Sequence, residues 1–95
     1  MSNEPGAHHH SHLRVAVITT SGSYPAEGHA DEPLNQRVEE ILKKADQALH
    51  ITGSAGWIAK VHGKQINPQL SYAQNGLTGE VDIDWGPREG GGGQR

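Results

Sequence analysis

The sequence predicts an α+β protein in which a small mixed β-sheet packs on one helix. Residues 13–19 and 81–85 are two strongly strand-like runs, one near each end of the chain. Residues 34–49 are the only long segment with helical spacing of apolar side chains. A lone helix must bury its apolar stripe against something, and a sheet built from these strands is the available partner.

Length and composition divide the 95-residue chain into one domain and two tails. The hydrophobic content is 33%, below the globular norm, and the 13 glycines include four in a row near the C-terminus. We expect a disordered leader over residues 1–12, a folded domain over 13–86 and a flexible glycine-rich tail over 87–95. A domain of this size has a thin core and little room for a deep catalytic pocket.

Charge and cysteine usage exclude several classes of protein. Eight basic residues stand against eleven acidic ones, so the chain lacks the basic face of a nucleic-acid binder. Without cysteine there is no disulfide scaffold, thiolate metal site or cysteine nucleophile. No apolar run approaches the roughly 20 residues of a membrane span. We therefore expect a soluble, cytoplasmic monomer with no nucleic-acid or membrane partner.

The first half of the chain reads as a strand, a turn, a weak edge strand and a helix. In residues 13–19 the side chains at alternate positions form one inward face, followed by turn residues at 20–23. Residues 24–31 can return as a short edge strand, although Pro25 and Gly28 weaken it. Asp31 or Glu32 can cap the helix, with Pro33 in its first turn. The buried stripe of that helix is Leu34, Val38, Ile41, Leu42, Ala45 and Leu49.

The second half reads as two strands separated by turns. Residues 57–61 alternate and enter a turn at 62–65, and residues 70–72 are irregular or one short helical turn. In the last strand Val81, Ile83 and Trp85 face one way while Asp82 and Asp84 face the other. The helix can cover only the middle of a small sheet, so the first and last strands should be parallel central neighbours joined by a right-handed crossover. This is a β-grasp arrangement of four or five strands.

The motifs of the second half resemble those of ubiquitin. Residues 59–66 read Ala-Lys-Val-His-Gly-Lys-Gln-Ile, and Leu70-Ser71-Tyr72, the last strand and a glycine tail follow in the family's order. The resemblance covers roughly residues 13–93, the first half by pattern only. The chain looks most similar to the bacterial ubiquitin-like modifiers that are encoded beside activating and conjugating enzymes.

The resemblance implies a protein modifier that is not itself an enzyme and carries no cofactor. In that family an activating enzyme adenylates the C-terminal glycine carboxylate, and a conjugating enzyme helps to join it to a lysine of a target protein. The conjugation handle would be Gly90, Gly91, Gly92 and Gly93, with Arg88 in the tail that contacts the enzymes. Gln94 and Arg95 would block a glycine carboxylate, so a processing peptidase should remove them.

Two charged positions depart from the ubiquitin pattern, and one lysine matches it. Lys60 stands where ubiquitin's binding patch has its central isoleucine, and Asp84 stands near the patch's valine, so ubiquitin's own readers are not the expected partners. Lys64 matches a turn lysine used for chain linkage, although a solvated turn lysine is the commoner explanation.

Other functions are weaker interpretations of the same residues. A sulfur carrier would form a C-terminal thiocarboxylate, but such proteins normally end at the diglycine; a non-conjugated binding module would use the glycines as plain linker. His8, His9, His10 and His12 can in principle chelate a metal, but a disordered leader or a cloning remnant is the preferred interpretation. Asp82 and Asp84 share a solvent face without a pocket, which argues against acid–base catalysis.

Overall fold

The computed structural model describes residues 11–88, which form one sheet and one helix. The elements, in chain order, are β1 (His12–Thr19), β2 (Gly22–Tyr24), β3 (Ala30–Pro33), α1 (Glu39–Leu49), β4 (Ile58–Val61), β5 (Lys64–Ile66) and β6 (Glu80–Gly86). Both β2 and β3 pair with β1, so they are two pieces of one interrupted edge strand. The architecture is the predicted α+β arrangement.

The strand order is β2-β1-β6-β4-β5, which places the first and last strands side by side at the centre of the sheet. They run parallel, with Val15 opposite Val81 and Val17 opposite Ile83, whereas every other pairing is antiparallel. The prediction that the two strongest strands are parallel neighbours is therefore confirmed. Each of these strands has a neighbouring strand on both sides, so the β1–β6 pair is the centre of the sheet.

The core lies between the helix and the inner face of the sheet. Alternation along β6 follows the prediction, with its three apolar side chains buried and Asp82 and Asp84 exposed. Trp85 meets Trp57 edge to face, with ring centroids 5.0 Å apart and an interplanar angle of 76°, which closes one end of the core. The buried apolar residues at the centre of this cluster are Val15, Val17, Val38, Ile41, Ala45, Ala59, Tyr72 and Ile83.

The predicted turn at residues 20–23 is wrong in its second half. The turn contains only residues 20 and 21, and Gly22 and Ser23 already pair with β1 as the start of β2. Gly22 has a φ of 131°, and a Cβ there would lie 3.3 Å from the Leu49 side chain at the end of α1. The glycine therefore lets the edge strand pass closely beneath the helix, a tertiary constraint that turn chemistry does not report.

The predicted helix start is also wrong. Asp31, Glu32 and Pro33 belong to β3, and the helix begins at Glu39, five residues after Leu34. Val38 occupies the N-cap position without any capping side chain. Instead the Val38 N–H donates to the Leu70 carbonyl and the Glu39 N–H donates to the Pro68 carbonyl.

The neighbouring loop thus satisfies backbone donors that a capping side chain would otherwise satisfy. Pairing with β1 satisfies the backbone over residues 30–33 in the extended form and outcompetes helix formation there. Leu34 still packs against the core, as its place in the apolar pattern requires, but from a turn.

The helix ends where its apolar stripe ends. His50 follows Leu49 with a φ of 54°, in the left-handed conformation, and its N–H donates to carbonyls of the last helical turn. Ile51 adds a hydrogen bond from its N–H to the Asp46 carbonyl, 3.0 Å away. This is a helix C-cap in which histidine takes a position that glycine usually fills, so the stop comes three residues before Gly53.

Glu32 anchors the edge strand to the helix. Its side chain is almost fully buried, and Oε1 accepts a hydrogen bond of 2.9 Å from Gln36 Nε2 while Oε2 lies 3.3 Å from Lys44 Nζ. We expect Glu32→Ala to lower the free energy of unfolding by about 1–2 kcal/mol, because it removes a hydrogen bond and an ion pair that both involve a buried carboxylate. Chemical denaturation would measure the loss.

Glu39→Ala is the matched control for Glu32→Ala. Glu39 Oε2 lies 3.4 Å from Arg37 Nη1, and the arginine side chain is 67% exposed, so this ion pair contributes less than about 1 kcal/mol. An equal loss of stability in the two variants would contradict the anchoring role of Glu32.

Tyr72 places a buried hydroxyl group in the otherwise apolar core. The side chain is fully buried, and its hydroxyl has no hydrogen-bond partner among residues 11–88. Burial, and then the negative charges of Glu32 and Glu40, hold the pKa of this phenol well above its usual range. The phenol is therefore neutral in the folded protein at every ordinary pH.

We expect Tyr72→Phe to leave the free energy of unfolding at pH 7 unchanged or to raise it by about 1 kcal/mol, since no folded-state hydrogen bond is lost. Because the folded-state pKa is raised, the wild-type protein loses stability as the pH rises above about 10, where the unfolded tyrosine ionises. The variant should lose less over the same range. Denaturation at pH 7 and pH 11 tests both points.

Tyr24→Phe, at a half-buried position on β2, is the control for general alkaline effects. A large destabilisation of Tyr72→Phe at pH 7 would show that the hydroxyl makes a favourable contact.

Candidate functional site

The candidate site is the end of β6, where the chain leaves the sheet. This strand lies between β1 and β4: it pairs with β1 as far as Asp84, and Asp84 to Gly86 pair with β4. Ile58 pairs with Gly86, the last residue of the strand, and exposed Pro87 and Arg88 follow it. The predicted handle, Gly90, Gly91, Gly92 and Gly93, and the predicted processing residues Gln94 and Arg95 lie outside the described residues.

A shallow groove lies on the outer face of the sheet next to this exit. Its volume is about 460 Å³, and its floor is mainly apolar. Ile18, which is 39% exposed, is one of two large apolar side chains that remain exposed in the described chain. The groove is lined by Ile18, Thr19, Thr20, Ile58, Lys60, Asp84, Trp85, Gly86 and Pro87.

Lys60 and Asp84, the two charged positions singled out from the sequence, meet in this groove. They are opposite each other in the β4–β6 pairing, and Asp84 is in turn opposite Ile18 on β1. A single row across three central strands therefore carries an apolar, an acidic and a basic residue. A partner for this face has to match opposite charges as well as an apolar surface.

Lys64 and His12 lie outside this row. Lys64 is exposed and opens β5, opposite Val61, so the predicted turn at 62–65 contains only His62 and Gly63. His62 and Gly63 both have positive φ, which is typical of a two-residue hairpin turn. Lys64 thus lies next to a tight turn at the edge of the sheet, accessible to solvent.

The histidine cluster is only partly described. His12 begins β1, and its Nδ1 lies 3.1 Å from Ser11 Oγ, whereas His8, His9 and His10 lie outside the described residues. Within residues 11–88, no group of three or more histidine, aspartate or glutamate side chains is arranged to hold a metal.

One polar contact on the outer face was missed by sequence reasoning. His29 Nε2 lies 2.8 Å from Asp82 Oδ1, and His29 Nδ1 lies 3.6 Å from Glu80 Oε2. His29 precedes β3 at one edge of the sheet, whereas both carboxylates belong to the central β6. His29 and Asp82 are 53 positions apart in the chain, which explains why no local pattern reports this contact.

No helix within residues 11–88 has the length and apolar character needed to cross a membrane.

Solved structures of similar fold include ubiquitin-like proteins. A protein designed de novo on the basis of ubiquitin superposes with a TM-score of 0.64 at 18% identity, covering 88% of this chain and 98% of its own. A chain described as "Molecular Mimicry of SUMO promotes DNA repair" has a TM-score of 0.64 at 14% identity, covering 84% and 96%. The N-terminal ubiquitin-like domain in the 4931431F19Rik protein has a TM-score of 0.59 at 19% identity, covering 90% and 83%.

Sequence comparisons identify no relative: no family model matches the chain, and no curated protein matches it. The likeness is therefore one of fold. It agrees with the parallel β1–β6 pair, the single helix and the strand order described above. The chain has the ubiquitin-like β-grasp fold.

Proposed function

We propose that the chain is a ubiquitin-like protein modifier whose C-terminal glycine becomes joined to amines of target proteins. The observation that carries the proposal is the exit of the chain from β6. The strand pairs with β1 as far as Asp84 and with β4 as far as Gly86, and the sequence beyond Arg88 reads Glu89, four glycines, Gln94 and Arg95. The folded domain thus precedes a run of four glycines, which carry no side chains.

The proposed chemistry needs a segment of this composition. Glycine has no Cβ, so a glycine run can enter a narrow channel and adopt backbone angles that other residues cannot. An activating enzyme would transfer AMP from ATP to the glycine carboxylate, releasing pyrophosphate. An enzyme thiol would then displace AMP to form a thioester, and a lysine amine of the target would displace the thiol to form an amide.

Processing has to precede activation in this scheme. Hydrolysis of the peptide bond between Gly93 and Gln94 would release Gln94-Arg95 and expose the glycine carboxylate. The proposed partners are therefore a processing peptidase, an activating enzyme, a conjugating enzyme and lysine-bearing targets, within a bacterial system in the cytoplasm. The modifier itself performs no catalysis and needs no cofactor.

The outer face supplies a surface that such enzymes can recognise near the tail. The groove at the root of the tail combines Ile18 and Ile58 with the opposed charges of Lys60 and Asp84. Pro87, at the start of the tail, forms part of the groove wall. An enzyme that binds this face would therefore hold the start of the tail at a fixed distance from its own active site. Lys64, at the far edge, is a candidate acceptor for chain formation.

Tryptic digestion of proteins from the native host tests the proposal directly. Trypsin cuts after Arg88, so a lysine modified through Gly93 should carry the branched remnant Glu-Gly-Gly-Gly-Gly, which mass spectrometry identifies. Intact-mass analysis should show that the free mature chain ends at Gly93. A form of the chain truncated after Arg88 is the control and should leave no remnant. A conjugation-competent chain that still ends in Arg95 would overturn the processing step, and the absence of every remnant would overturn the proposal.

A further inference from the structure

The interrupted edge strand contains a segment that crosses the outer face of the sheet. Tyr24, the last residue of β2, pairs with Val17, and Ala30, the first residue of β3, pairs with Val15. Residues 25–29 therefore lie opposite Ala16 alone, where a continuous strand would place one residue. We call residues 25–29 the strap. It is far longer than a β-bulge, which inserts a single extra residue.

Burial shows which side of the sheet the strap covers. Arg14, Ala16 and Ile18 alternate onto the outer side of β1, and Arg14 and Ile18 are exposed, yet Ala16 is only 4% exposed. Ala16 pairs with Asp82 of β6, and His29 at the end of the strap contacts that same Asp82. The strap therefore arches over Ala16 from the edge of the sheet to its centre.

His29 holds the strap through contacts that depend on its protonation. A neutral imidazole has one N–H and can donate to one carboxylate, whereas a protonated imidazole donates from both nitrogens. Here Nε2 faces Asp82 at 2.8 Å and Nδ1 faces Glu80 at 3.6 Å. The His29 side chain is 19% exposed, while the carboxylates are 65% and 62% exposed, so protons exchange freely with solvent.

We propose that the strap is a pH-sensitive cover, closed when His29 is protonated and looser when it is neutral. Histidine is the side chain that changes charge between pH 5 and 8. The carboxylates that face His29 belong to Glu80 and Asp82 on β6. On the adjacent strands Arg14 is paired with Glu80 and with Asp31, and Glu27 lies in the strap itself.

Opening the strap would enlarge the groove at the root of the tail. Ala16 is next to exposed Ile18 on the outer side of β1, and Ile18 already lines the groove. Uncovering Ala16 therefore extends the apolar floor along β1. The inference concerns the surface of the folded domain, and it holds whether or not the tail is conjugated.

Cleavage by a glutamate-specific protease after exposed Glu27 tests the strap. Wild type and His29→Ala are compared at pH 5.5 and at pH 8, and the ratio of the two rates at each pH removes the protease's own pH dependence. We expect wild type to be cut about fivefold more slowly than His29→Ala at pH 5.5, the size that an exposed ion pair supports. The ratio should fall to about twofold at pH 8, where one hydrogen bond remains.

Two further variants show whether the pH dependence comes from His29. His29→Gln retains one donor but cannot titrate, so its rate relative to His29→Ala should be the same at both pH values. His62→Asn, which changes an exposed histidine at a positive-φ turn position that asparagine tolerates, should behave as wild type. A wild-type ratio that does not change with pH, or a His62→Asn ratio that departs from wild type, would overturn the proposal.

Discussion

Ile83→Ala is expected to lower the free energy of unfolding by about 3 kcal/mol, which would unfold much of the protein at 37 °C. Ile83 is fully buried, and it lies opposite Val17 in the parallel pair at the centre of the sheet. Removing its outer carbons leaves a cavity between two strands that are hydrogen-bonded on both edges and cannot collapse inward. A domain this small has little stability in reserve. Urea denaturation followed by circular dichroism measures the change.

Ile18→Ala is the matched control, because it removes the same atoms from the adjacent strand on the opposite face. Ile18 is 39% exposed and pairs with Asp84, so its truncation should cost less than about 1 kcal/mol. If both variants lost the same stability, the assignment of inner and outer faces would be wrong.

Replacing Gly92 and Gly93 by alanine is expected to reduce conjugate formation by roughly 100-fold, the cost of misplacing a reacting group by about 1 Å. Two added methyl groups would obstruct the channel through which the carboxylate reaches ATP, and they would disfavour the backbone angles that glycine alone adopts easily. The measurement is the yield of remnant-bearing lysines from host cells that express the variant. Because the tail follows the folded domain, unfolding by urea should be unchanged.

The same variant distinguishes the three functions considered for the glycine tail. Loss of conjugates identifies a modifier, loss of sulfur transfer identifies a thiocarboxylate carrier, and no change at all identifies a binding module. Glu89→Ala is the control, since it alters the same segment without touching the glycines. Normal conjugate levels in the glycine variant would contradict the proposed role of Gly92 and Gly93.

The strongest strands and their pairing could be read from the sequence because their signals are local. Alternation along β6 places Val81, Ile83 and Trp85 on one face and Asp82 and Asp84 on the other. The apolar face is buried and the aspartate face is exposed. One helix can cover only the centre of a small sheet, so the two most apolar strands had to be neighbours. The row formed by Lys60 and Asp84 follows from the same alternation once the register is known.

Local sequence patterns could not predict where the helix starts, because the carbonyls that accept its first N–H groups come from a distant loop. The sequence offers good capping residues at Asp31 and Glu32, but pairing with β1 holds them extended, and the carbonyls of Pro68 and Leu70 receive the first helical N–H groups. These partners are some 30 residues away along the chain. Propensity was outweighed by hydrogen bonds that exist only in the folded protein.

The sequence by itself determined the two layers, the central parallel pair and the composition of the terminal segment, since these depend on period, length and residue type. Only the tertiary structure decided that the edge strand divides into two pieces and that residues 25–29 cross the outer face. The contact of His29 with Asp82 likewise needs the folded sheet. The physical reason is that a contact between distant residues forms when strand pairing brings them together, and no periodicity along the chain encodes that distance.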